Sequence, residues 1–309
     1  MRVLVTGGAG FIGSHLVHRL LASGNNVVIL DDFNDFYDPA IKRANVAATA
    51  GAEVVEGDIR DASAVARSFE KRPDAVVHLA ARAGVRPSLE QPDLYASVNL
   101  GGTLTLLEEC RRRGVKRFVF ASSSSVYGDS ARIPFGEDEP DPKPVSPYGV
   151  TKLAGEHYVR LYHALHGFRA SALRFFTVYG PRQRPDMAIH KFARLILEGK
   201  EVPVFGDGTT RRDYTYVDDA VAGVAAALDR DDGFEVYNIG EAGTVELGEL
   251  IALLEKNLGK TARIKRLPEQ PGDVKRTYAN VSKARERLGY APSTPIEEGV
   301  RKFCAWLRS

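Results

Sequence analysis

The chain is 309 residues long, 44% hydrophobic and 27% charged, with a formal net charge of +2. That allows a large core in one or two domains and gives no electrostatic reason to expect nucleic acid or a membrane surface as a partner. Cys110 and Cys304, its two cysteines, make no metal-ligand pattern, and no apolar run reaches the length of a membrane span.

The first predicted strand, Val3–Thr6, is a short apolar run, as a parallel strand covered on both faces must be. It starts so close to Met1 that no signal or transit peptide is expected, and the chain reads as cytoplasmic with reduced thiols. Gly7, Gly10 and Gly13 follow, spaced G-x-x-G-x-x-G, and open a helix predicted over Phe11–Ser23. Strand, glycine turn and helix N-terminus together predict a pyrophosphate site. Gly7 permits the turn, Gly10 a close backbone approach and Gly13 the packing of helix on strand, while the helix N–H groups and dipole attract the anion. A second strand, Val27–Leu30, ends at Asp31, 18 residues after Gly13. A carboxylate there suits both hydroxyls of an adenosine ribose and repels a 2′-phosphate, so the expected cofactor is NAD rather than NADP.

Four more predicted strands follow: Glu53–Glu56, Ala75–His78, Phe118–Ala121 and Ala170–Arg174. Helical patterns over Ala62–Lys71, Pro92–Arg113 and Pro147–His166 lie between them. This alternation predicts an α/β fold, a Rossmann-type doubly wound parallel sheet. Ligands of such sheets bind at the carboxyl ends of the strands, where Thr6, Asp31, Asp58, Leu79, Ser122 and Phe175 fall. Past about residue 180 glycine and proline become frequent and Arg182, Arg184, Arg211 and Arg212 cluster near turns. The expected division is a dinucleotide-binding domain over 1–178 and a smaller, mostly C-terminal substrate domain over 179–309. Phe234–Ile239 is expected to rejoin the first sheet, and Ile296–Leu307 to form a closing amphipathic helix.

Tyr148 and Lys152 form Y-x-x-x-K on one face of a predicted helix. For the phenol to act as a base near neutrality its pKa must fall by roughly three units, about 4 kcal/mol. A lysine cation about 4 Å away at an effective dielectric of about 20 supplies that much. Ser122 to Ser125 lie at the carboxyl end of the Phe118–Ala121 strand, where a serine hydroxyl can share a proton with the reacting oxygen and Tyr148. Taken alone, the tyrosine and lysine also fit a core aromatic beside a solvated charge.

Gly7-Gly8-Ala9-Gly10-Phe11-Ile12-Gly13, Asp31, Ser123, Tyr148 and Lys152 together resemble the extended short-chain dehydrogenase/reductase family. Within it the chain resembles the nucleotide-sugar epimerases and dehydratases over nearly its whole length. The resemblance implies catalytic roles for Ser123, Tyr148 and Lys152. It places Asp58 and Ile59 near the adenine. Phe11, Ile12, Leu79, Ala80, Ala81, Asn99, Ser122 and Phe175 fall along the cofactor. Arg212 and Tyr214 would hold the nucleotide of the substrate. Relatives that dehydrate or decarboxylate carry an acid just before Val-Tyr-Gly, where this chain has Ser124 and Ser125, so an epimerase is implied. Phe33 to Arg43 and Arg174 to Ala188 resemble the UDP-glucuronate 4-epimerases. A uronate substrate implies donors for its carboxylate from Ser125, Thr177 and Arg184, with Arg86 near the diphosphate and Lys191 near the uridine; Arg184 fits a diphosphate ligand or a solvated loop charge equally well. The alternatives are a 4-epimerase of neutral UDP-hexoses, a UDP-glucuronate decarboxylase and a non-catalytic NAD-sensing protein. The resemblance further implies a homodimer paired through Pro92–Arg113 and Pro147–His166.

Overall fold

The computed structural model describes residues 1–129, 132–230, 233–268 and 276–309. Its centre is a seven-stranded sheet: β1 (Arg2–Thr6), β2 (Asn26–Asp31), β3 (Glu53–Glu56), β4 (Ala75–His78), β5 (Arg117–Ser123), β6 (Arg169–Phe175) and the strand Phe234–Ile239. Their order across the sheet is β3-β2-β1-β4-β5-β6 followed by Phe234–Ile239, and every pairing is parallel. The direction of winding reverses between β1 and β4, so the crevice for a ligand opens there, outside the carboxyl ends of the strands.

The central strands read as unbroken apolar runs because both faces are covered. Val3, Val5, Ile29 and Val77 pack into one core, while Leu4, Val28, Leu30 and Val76 pack into another on the opposite face. Each expected strand is present within two residues of its predicted ends. Phe234–Ile239 does return to the sheet, in register with β6 from Ala170 to Phe175.

The helical layer departs from expectation in two places. Pro92–Arg113 is not one helix. It divides into Pro92–Tyr95, a widened turn over Ala96–Gly102, and Thr103–Arg113. The turn widens where Asn99 directs its side chain to the Arg82 backbone and to Thr151, and where Gly102 presses on Ile59. A Cβ on Gly102 would sit 2.5 Å from the Ile59 side chain. Past residue 180, Val217–Asp229, a helix of 13 residues in the part assigned to the substrate domain, packs on the helix Phe11–Ala22 and on β5 and β6. Val217–Asp229 and Phe234–Ile239 therefore supply a covering helix and a strand to the main sheet.

The rest of the C-terminal part carries small sheets. Glu201–Phe205 pairs with Arg263–Leu267, Arg211–Arg212 with Val245–Glu246, and Thr177–Tyr179 with Tyr214–Tyr216. The closing helix Ile296–Arg308 buries Val300, Phe303 and Cys304. Among the described residues no helix is long and apolar enough to cross a membrane.

Candidate active site

A cleft of about 480 Å³ lies along the carboxyl ends of the strands. Its floor is the glycine loop. Gly7 has φ +70°, and a Cβ there would lie 2.7 Å from the Ala80 nitrogen. A Cβ on Gly13 would lie 2.1 Å from the Gly7 carbonyl oxygen. Gly13 thus lets the helix press on the loop itself, not on the strand as expected. The Gly10 N–H donates to the Gly7 carbonyl at 3.1 Å, and no side chain caps the helix that starts at Phe11. A side-chain-free cradle at an uncapped helix N-terminus fits a pyrophosphate.

Asp31 closes one end. Its carboxylate accepts from the Ala9 N–H at 3.1 Å and the Phe33 N–H at 3.0 Å, which leaves roughly half of its acceptor positions for ribose hydroxyls. Burial pushes its pKa up, and the Lys42 ammonium, 3.7 Å from both Asp31 and Asp32, opposes that.

Behind the cleft a neutral histidine ties three elements together. The Thr103 hydroxyl donates to the Asn99 carbonyl at 2.5 Å, so its oxygen accepts from His78 Nε2 at 2.9 Å. His78 Nδ1 then accepts from the Thr6 hydroxyl at 2.7 Å. Burial holds the imidazole down at about 3, so it stays uncharged. The Ala80 N–H donates to Thr6 Oγ1 and the Arg82 N–H to Asn99 Oδ1, which fixes the segment Leu79–Arg82 along the edge of the cleft.

The other end is built by the helix Pro147–His166. Ser146 caps it by accepting from the Gly149 N–H at 3.1 Å, with Pro147 in the first position. Tyr148 therefore stands in the first turn and Lys152 one turn further on, facing β5. Ser123 is hydrogen-bonded to the Tyr148 hydroxyl. It also accepts from the Ser125 N–H at 3.1 Å and lies 3.2 Å from the Ser125 hydroxyl.

The expected effect of Lys152 on Tyr148 needs correction. The ammonium donates to the Ala121 carbonyl at 2.7 Å and lies 5.9 Å from the centre of the Tyr148 ring. Burial pushes the Tyr148 phenol up, and what opposes it is the Ser123 hydrogen bond and the charge of Arg184. Lys152 is itself pulled down to about 7 by burial, with Glu156 resisting.

Glu156 continues the stripe of Tyr148 and Lys152 along the same helix face. It is 4% exposed, as is Arg174, which binds it through two hydrogen bonds of 2.9 and 2.8 Å. The Ser122 hydroxyl also donates to Glu156, which leaves its oxygen only as an acceptor. Glu156→Ala should strand the Arg174 charge in the core and cost about 3–5 kcal/mol. Urea unfolding will show this as a lowered midpoint with an unchanged slope.

The cleft brings together Gly7, Gly10, Phe11, Ile12, Gly13, Asp31, Asp58, Ile59, Leu79, Ala80 and Ala81. Ser122, Ser123, Ser125, Tyr148, Lys152, Phe175, Thr177 and Arg184 line it as well. Five expected residues stand outside this lining. Asn99 is 2% exposed and acts from behind through Arg82. The Arg86 guanidinium lies over the Phe205 ring at 4.5 Å. Lys191 is exposed on the helix Ala188–Leu197. Arg212 bonds to the neighbouring Arg211 carbonyl at 3.0 Å. Tyr214 is 6% exposed, packed edge-on against Tyr179, with its phenol pushed up to about 12 by burial. The lining also includes Phe36, Tyr37, Lys42 and Asp186, from the two stretches that resemble the UDP-glucuronate 4-epimerases but given no role of their own, and Arg82.

Residues 3–240 match the model of the NAD dependent epimerase/dehydratase family. UDP-glucuronate 4-epimerase 3 of Arabidopsis thaliana is 43% identical over 98% of this chain and 76% of its own length. The crystal structure of UDP-glucuronic acid 4-epimerase from Bacillus cereus, in complex with UDP-glucuronic acid and NAD, superposes with a TM-score of 0.94 at 39% identity, covering 100% of this chain and 99% of that one. UDP-glucose 4-epimerase of Thermus thermophilus, in complex with NAD, superposes with a TM-score of 0.93 at 37% identity over 100% and 99% of the two chains. With its glycine cradle, its buried Asp31 and its tyrosine–lysine helix in one cleft, the chain belongs to the NAD dependent epimerase/dehydratase family.

Proposed function

We propose that this chain is an NAD-dependent UDP-glucuronate 4-epimerase, interconverting UDP-glucuronate and UDP-galacturonate through a 4-keto sugar that turns over before reduction. The observation that carries the reading is that Ser125, Thr177 and Arg184, donors suited to a carboxylate, line one cleft with Tyr148, while Ser124 and Ser125 stand where a dehydratase or decarboxylase has an acid. Bound NAD supplies a reversible acceptor for the C4 hydride. Gly7, Gly10 and Gly13 cradle its pyrophosphate and Asp31 its ribose. Asp58, Ile59 and Leu79 to Ala81 flank the rest. Tyr148 takes the proton of the C4 hydroxyl and gives it back to the same oxygen when the hydride returns to the other face of C4, with Ser123 sharing that proton. Lys152, pinned to Ala121, orients the site. The test is incubation with UDP-glucuronate without added NADH, followed by NMR. A new C4 epimer is expected. Conversion of neutral UDP-hexoses alone would favour the runner-up, for which the Thermus thermophilus likeness speaks.

Residues 1–178, with Val217–Asp229 and Phe234–Ile239, form the cofactor-holding part in this reading, and most of 179–309 holds the UDP-sugar. Arg86, Lys191, Arg212 and Tyr214 act from this second part or its rim on the nucleotide. The chain works as a homodimer in the cytoplasm. Val150, Leu161 and Leu165 are 52%, 46% and 65% exposed along one stripe of the helix Pro147–His166, an apolar face suited to a twofold helix bundle. Sedimentation would show a single dimeric species.

Cofactor choice follows from Asp31. Its buried carboxylate leaves no room for a 2′-phosphate without like-charge repulsion. NAD should bind at least about tenfold more tightly than NADP, since each charged hydrogen bond exchanged for repulsion is worth about 1.5–3 kcal/mol. Equal affinities in a calorimetric titration would mean that Asp31 does not hold the ribose.

A further inference from the structure

Asp186 lines the cleft beside Arg184. Arg184 donates to it through two bonds, Nε to Oδ1 at 2.9 Å and Nη2 to Oδ2 at 2.8 Å. The Arg184 side chain is 20% exposed and that of Asp186 41%. The guanidinium carbon stands 5.5 Å from the centre of the Phe36 ring. One edge of the guanidinium fork is thus taken by a resident carboxylate. Nη1 and the second hydrogen of Nη2 remain for a ligand.

A C4 epimerase has a requirement that a simple dehydrogenase lacks. Its 4-keto sugar must turn within the cleft, and a carboxylate at C6 must leave one set of donors and reach another. A bare guanidinium in a partly buried cleft would hold that carboxylate too firmly in one pose, because charge-assisted forks are strong and local dielectric is low. Tighter binding of a pose that must be left slows the step that leaves it. A permanent counter-charge on the same guanidinium weakens that grip while keeping the fork oriented.

We propose that Asp186 is a specificity-determining and release-determining residue: it shares Arg184 with the substrate carboxylate, so that a uronate is recognised but not locked in one orientation. This inference rests on the uronate reading of the substrate. It involves no bond-making step, only the exchange of hydrogen-bond partners at Arg184.

The experiment is Asp186→Asn, which keeps size and one acceptor and removes the charge. Calorimetry should show UDP-glucuronate bound about three- to tenfold more tightly, with kcat for epimerisation lowered by a similar factor, as a half-exposed charge pair allows. UDP-glucose binding should move by less than about twofold, because it has no carboxylate to feel the change. Asp186→Glu should restore the balance toward the unaltered protein. Weaker or unchanged UDP-glucuronate binding overturns the proposal, and so does an equal change for both ligands, which is what general damage to the loop would give. A measurement on the unaltered protein covers a variant that fails to fold. With Arg184 already neutralised, the ratio of the KM values for UDP-glucuronate and UDP-glucose should stay flat as salt rises, and a steep rise would overturn the proposal. If the unaltered protein neither binds nor turns over UDP-glucuronate, the uronate reading itself fails and this inference falls with it. Normal uronate turnover with an unshifted ratio in Asp186→Asn removes this inference alone.

Discussion

Tyr148→Phe is expected to lower the epimerisation rate by about 10³-fold or more while NAD still binds, since a positioned acid–base group contributes about 10²–10⁴ and no neighbour can replace it. The substitution removes one oxygen and little else. The ring keeps its edge-on contact with Tyr95, at 6.3 Å between centres, and the Ser146 cap of the helix is untouched. Ser123 remains, but a serine hydroxyl without a base beside it is a poor proton acceptor. Lys152 remains too, held on the Ala121 carbonyl.

The pH dependence offers a second readout of the same change. Burial pushes the Tyr148 phenol up, so the fraction of phenolate, and the rate with it, should rise with pH. Lys152, pulled down to about 7, gives up its charge as pH climbs through that value, which weakens its hold on the Ala121 carbonyl and, by loosening the site, opposes the rise. Tyr148→Phe should erase the ascending limb. NMR of the C4 epimer and calorimetry with NAD measure both parts. Turnover near that of the unaltered protein would mean that another group moves the proton.

What the sequence disclosed, and what it hid, follows from the range of the forces involved. The strands were legible because burial on both faces demands continuous apolar runs, and Val3–Val5 and Val27–Leu30 are such runs. The Tyr148–Lys152 alignment was legible because helical geometry puts positions four apart on one face. The same rule extended one turn would have found Glu156. The break at Ala96–Gly102 was not legible. It is set by Asn99 binding Arg82 and Thr151, 17 and 52 residues away in sequence, and by Gly102 meeting Ile59. The direction of Lys152 was hidden for a similar reason, since its acceptor is a carbonyl on β5. Lys191, Arg212 and Tyr214 were assigned by motif alone, and a motif does not say which way a side chain is turned by its neighbours. Asp186 stood two residues from Arg184, but only the fold shows the two side chains joined.

Arg184→Ala and Arg184→His are expected to slow epimerisation and to release more UDP-4-keto-pentose with NADH than the unaltered protein does. Oxidising UDP-glucuronate at C4 makes a β-keto acid, with the ketone at C4 and the carboxylate at C6. Such an acid loses carbon dioxide when its C5–C6 bond stands perpendicular to the carbonyl plane, because the electrons then flow into an enolate. The cleft must hold the carboxylate away from that alignment and keep its charge solvated, since an apolar setting would speed the loss. Ser125, Thr177 and the free edge of Arg184 line the cleft and can do both. Each charge-assisted hydrogen bond is worth about 1.5–3 kcal/mol, so losing one should shift the partition between hydride return and decarboxylation by about tenfold or more. Removing Arg184 has a second consequence, because Asp186 is left without the guanidinium that binds it. A bare carboxylate then faces the carboxylate of the substrate, and KM for UDP-glucuronate should rise more than that for UDP-glucose. Arg184→Ala combined with Asp186→Asn separates the two effects: it should recover part of the lost affinity and none of the protection against decarboxylation. Product analysis by NMR, with absorbance for NADH, reads the partition directly. Normal epimerisation with no pentose released by Arg184→Ala would mean that Arg184 does not hold the sugar, and the reading would move to neutral UDP-hexoses.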